Sequence, residues 1–72
     1  MRTQSPTIPT AESVLARVEL AAEIGRWPAG TSGTLVETFP REGFVEIVDE
    51  GGRTLDIVTV PYAELRLLDS DG

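Results

Sequence analysis

The chain has 72 residues, with twelve carboxylates, six arginines and no lysine, histidine or cysteine, giving a formal net charge of −6 and an isoelectric point near 4.3. One small domain is all this length supports, burying roughly 60% of the surface its unfolded chain exposes. Disulfides, thiolate metal sites and imidazole ligands are excluded by composition, and the acidic balance opposes the cationic contacts from which nucleic-acid affinity is built, so no direct nucleic-acid binding is expected.

Met1–Thr10 carries two prolines and several hydroxyl residues with little to bury; residues 1–12 read as a flexible N-terminal tail. No apolar run in it resembles a secretory signal, and no window reaches the length of a membrane span, which predicts a cytoplasmic protein. From Ala11 to Trp27 two signals compete. Good helix formers behind Thr10 favour a helix. Alternation instead sets Leu15, Arg17, Glu19 and Ala21 on one face and Val14, Ala16, Val18 and Leu20 on the other, favouring a strand over Leu15–Leu20. The strand is preferred because the β-rich remainder needs a first strand; a helix packed on an open sheet is the alternative.

Gly25, Pro28 and Gly30 then mark a loop, within which Trp27 reads as a lid over the core or an anchor for a partner. Gly33–Thr38 is the second strand, with Gly33 at a bulge or a close backbone approach. Phe39–Gly43 is a turn and Phe44–Asp49 the third strand, with Phe44 and Val48 alternating against Val45 and Ile47. Gly51 and Gly52 supply the positive φ of a tight hairpin. Thr54–Val60 is the strand richest in β-branched residues. Pro61–Glu64 is one short helical turn and Leu65–Leu68 a last strand, with residues 69–72 frayed. The expected fold is all-β: a small five-stranded SH3-like barrel over residues 13–68.

No constellation reaches a catalytic, cofactor or metal motif. Asp49 with Glu50, or Glu46 with Asp56 on neighbouring strands, are the carboxylate pairs to consider for acid–base work. Solvated turn and strand charges account for them better, since a working pair needs a pocket that so small a barrel seldom encloses. Asp69 and Asp71 lack the other ligands of a calcium loop. The glycines at 30 and 33, or 51 and 52, do not lead into a helix with a phosphate-binding lysine. What remains is surface: Trp27, Arg26, Phe39, Phe44, Val48 and Tyr62 are the candidate partner-binding residues, because aromatic and arginine side chains anchor interfaces.

Gly30-Thr-Ser-Gly-Thr-Leu-Val-Glu37, Val45-Glu-Ile-Val-Asp-Glu-Gly-Gly-Arg-Thr54, Val58-Thr-Val-Pro61 and Glu64-Leu65 together resemble a family of short, uncharacterised bacterial domains of unknown function with an SH3-like barrel. The chain departs from that family's pattern over Ala11–Ala22 and in its longer tail. Members are often encoded beside a small toxin-like partner, so the resemblance implies an antitoxin, immunity-like or accessory role and transfers no catalytic residue. The expected function is a non-enzymatic protein-binding module, an inhibitory partner of a co-encoded protein; the alternative is a structural subunit that stabilises a larger enzyme. No cofactor or membrane is expected, and a homodimer is compatible with the sequence.

Overall fold

A computed structural model describes residues 15–68. The expected N-terminal tail and the expected fraying of residues 69–72 lie outside the described residues. Five strands follow in chain order: β1 (Arg17–Leu20), β2 (Ser32–Thr38), β3 (Glu42–Val48), β4 (Thr54–Pro61) and, after a 3-10 turn at Tyr62–Glu64, β5 (Leu65–Leu67). All neighbours are antiparallel, and the order across the sheet is β4-β3-β2-β1-β5.

Alternation wins over helix propensity in the first segment. Val18 and Leu20 are fully buried while Arg17 is exposed, so a period of two separates core from solvent where a helix would have mixed them. The strand starts at Arg17, later than expected, because Leu15 takes a left-handed φ of 74°. Its side chain is 71% exposed. The expected close approach at Gly33 is present: a Cβ there would stand 2.6 Å from the Glu46 carbonyl oxygen. The irregularity of β2 falls elsewhere, between Leu35 and Glu37.

The core is hydrocarbon: Val18, Leu20, Leu35, Val45, Ile47, Val60, Tyr62 and Leu65, with Ile24, Trp27, Val58 and Leu67 packed around it. Among the described residues no charged or polar side chain is buried. Tyr62 closes one end, its hydroxyl accepting from the Phe39 N–H at 3.0 Å and donating to the Phe39 carbonyl.

The expected closed barrel needs correction, because β4 and β5 are the two edges of the sheet and do not pair with each other. β5 has only three residues, and its ladder runs along β1. Yet the sheet is strongly curled. Laid flat, its outer strands would stand about 19 Å apart at the usual spacing, whereas three residues of 3-10 turn advance only about 6 Å. The short Tyr62–Glu64 link therefore brings the edges toward each other at that end.

Candidate functional site

The β3–β4 corner is where apolar side chains meet solvent. Val45 pairs with Val58 and Ile47 with Asp56 on the inner face, so Glu46 opposite Ile57 and Phe44 opposite Thr59 point outward. Val48 and Thr54 continue that outer row, and the Thr54 hydroxyl donates to Glu46 Oε2. Val48 is 40% exposed and Ile57 55%. Ile57 is diagonal to both Phe44 and Val48, a spacing of about 7–8 Å that long side chains span. Phe39 caps the row, its ring edge-on to Phe44 with centroids 5.0 Å apart. Leu55, 45% exposed, sits where the β3–β4 register shifts. β4 is an edge strand, so half of its backbone N–H and C=O groups face away from β3.

On the other side of β4 the loop between β1 and β2 folds toward the sheet. Ile24 and Trp27 exchange two backbone hydrogen bonds at 2.9 Å around Gly25 and Arg26, with Gly25 at a φ of 58°. The bend delivers Trp27, half-buried against the core, to β4, where its Nε1–H donates to Asp56 Oδ2 at 2.8 Å. The other oxygen, Oδ1, accepts the Ile57 N–H at 2.9 Å. The Trp27 hydrogen bond holds the Asp56 carboxyl below its ordinary pKa of 3.8, with help from the Ile57 N–H and the Arg26 charge against the opposing effect of burial. The Arg26 guanidinium lies 4.8 Å from the Trp27 ring centroid, a contact worth about 0.5–1 kcal/mol where exposed.

The sequence-predicted residues therefore fall into two groups on either side of β4. Phe39, Phe44 and Val48 belong to the outer corner, and Arg26 with Trp27 to the loop. Tyr62 is 8% exposed, with its hydroxyl committed to Phe39. Leu55 and Ile57 are added by the structure. A signal for them was present, since Thr54–Val60 places apolar residues at both parities and leaves no purely polar face.

The carboxylate pairs separate. Glu46 and Asp56 lie on opposite faces. Asp49 turns inward on its own hairpin, Oδ1 accepting the N–H groups of Gly51 and Arg53 at 2.9 Å each, which is the usual work of an aspartate in a turn. Among the described residues, no three His, Cys, Asp or Glu side chains are grouped to hold a metal. A depression of about 400 Å³ lies open to solvent between Arg17, Thr34, Val48 and Glu50. No helix among the described residues is long and apolar enough to cross a membrane. No family model, no curated protein and no solved structure matches the chain.

Proposed function

We propose that this protein is a non-catalytic protein-binding module on an SH3-like scaffold, acting in the cytoplasm as an antitoxin-like or immunity-like inhibitor of a partner protein. The observation that carries the reading is the set of exposed apolar residues Leu55 and Ile57 on the edge strand β4 and Val48 on the adjoining β3, near Glu46 and under a net charge of −6. Scattered single apolar residues are ordinary on a surface, whereas a group at one sheet edge suits recognition. The acidic field steers a basic partner and lowers affinity for acidic competitors. Occlusion is the mechanism: a rigid sheet covers the partner's working surface.

Gentle affinity purification of the full chain from its native cells, followed by titration of the recovered partner's activity, tests this. A basic partner whose activity falls as the chain is added supports inhibition. Recovery of the chain alone as a monomer refutes the reading.

A further inference from the structure

Resting on the protein-binding reading, we propose that β4 accepts an extended, cationic segment of the partner as an added strand, and that this docking releases Trp27 from Asp56. The backbone supplies the first part of the case. β4 spans eight residues and is paired on one side only. The Ile57 N–H is donated to the carboxylate of its own neighbour, which marks Ile57 as one of the residues whose polar groups point away from β3. By alternation Thr59 is the next, and Pro61 ends the series with no N–H to give. The free edge thus offers Ile57 and Thr59 to a new strand, with Ile57 and Leu55 as apolar contacts for its side chains.

Charge decides what kind of strand fits. The outward positions along β3 and β4 are Glu42, Phe44, Glu46 and Val48, then Thr54, Ile57 and Thr59, which include two carboxylates and no cation. A second copy paired along the same edge would bring another chain of net charge −6 against this one. A segment alternating lysine or arginine with small apolar residues instead lays its apolar side chains beside Ile57 and Thr59 on the outer face and its cations toward Asp56 on the other.

Asp56 guards the position. Its Oδ1 occupies the Ile57 N–H that an added strand needs, and Oδ2 holds the indole. Pairing at Ile57 displaces the carboxylate and with it the Trp27 contact. An ion pair formed only at the rim would leave Trp27 undisturbed.

The test uses the full chain and a capped nine-residue peptide alternating lysine with valine or threonine, followed by Trp27 emission and by amide exchange. Trp27 is the only tryptophan, so the emission has one source. The expected result is a shifted emission and slowed exchange at Ile57 and Thr59. At least tenfold weaker binding is expected for the same peptide N-methylated at alternate amides, and again for Ile57→Lys, an exposed substitution whose fold is checked by circular dichroism. Equal binding of the N-methylated peptide overturns strand addition, as does protection confined to Phe39 or to the Arg17 depression. A β4-dependent dimer in sedimentation overturns it in favour of a second copy. A native partner that binds without perturbing β4 removes this inference and leaves the protein-binding reading; pairing with the peptide and no native partner supports the edge and removes that reading.

Discussion

Replacing Gly33 with alanine is expected to destabilise the protein by about 1–2 kcal/mol, against the usual direction for a glycine inside a strand. Alanine normally gains about 0.5–1 kcal/mol there by restricting the unfolded chain. At this position the new Cβ would meet the Glu46 carbonyl oxygen at 2.6 Å and Val45 Cγ1 at 2.7 Å. The carbonyl belongs to the β2–β3 ladder and cannot rotate aside. Overpacking of this kind costs about 1–3 kcal/mol, so it outweighs the entropic gain. For a domain of this size the loss lowers Tm by roughly 4–16 °C. Gly51→Ala is the matched control: the nearest atom is Asp49 Oδ1 at 3.5 Å, an ordinary contact, and stability should hold or rise by about 0.4–1 kcal/mol. Urea unfolding followed by Trp27 emission and far-ultraviolet circular dichroism measures both variants. A Gly33→Ala protein as stable as the parent would refute the close approach of β2 to β3.

Three further outcomes are expected. Leu35→Ala, at a fully buried site, should remove about 2–5 kcal/mol from a total of roughly 4–11 kcal/mol, leaving a measurable unfolded fraction by denaturant titration. Tyr62→Phe removes the hydroxyl that bonds the Phe39 N–H and carbonyl, leaves the N–H its bond to the Glu42 carbonyl, and should cost about 0.5–1.5 kcal/mol, read as a lower urea midpoint with unchanged slope. The Asp56 carboxyl titrates below its unfolded value, so its contribution to stability is complete above about pH 4 and is lost as pH falls through the folded value. Urea midpoints from pH 6 down to pH 2 should show this decline in the parent and a smaller one in Trp27→Phe, with the Asp56 carboxyl carbon titrating nearer its ordinary value by NMR.

Strand existence was legible wherever one face is buried. Val18 and Leu20 in β1, and Val45 and Ile47 in β3, write the inner face into the sequence at every second position. β1 was the hardest, because alanine and glutamate favour a helix on propensity and only the parity of the buried pair decides. Boundaries were less legible: Leu15 leaves the strand through a left-handed φ that leucine does not advertise. The open ladder was not visible either, since pairing between β4 and β5 depends on how far the sheet curls and not on either strand alone. The Trp27–Asp56 bond spans 29 positions, and nothing local to either residue predicts it. Glu46 and Asp56 looked like neighbours on adjacent strands; the one-position offset in register turns one outward and the other inward.

The pairing of β1 with β5 carries a kinetic consequence. β2, β3 and β4 form a meander whose partners follow one another closely, while Val18 must find Leu67 roughly fifty residues further along. Hairpin closure takes microseconds, whereas distant ends meet only after the intervening chain has given up its freedom. The meander is therefore expected to assemble first, with β1 and β5 docking onto it late. Weakening Leu65 should accelerate unfolding more than it slows folding, while weakening Val45 should do the reverse.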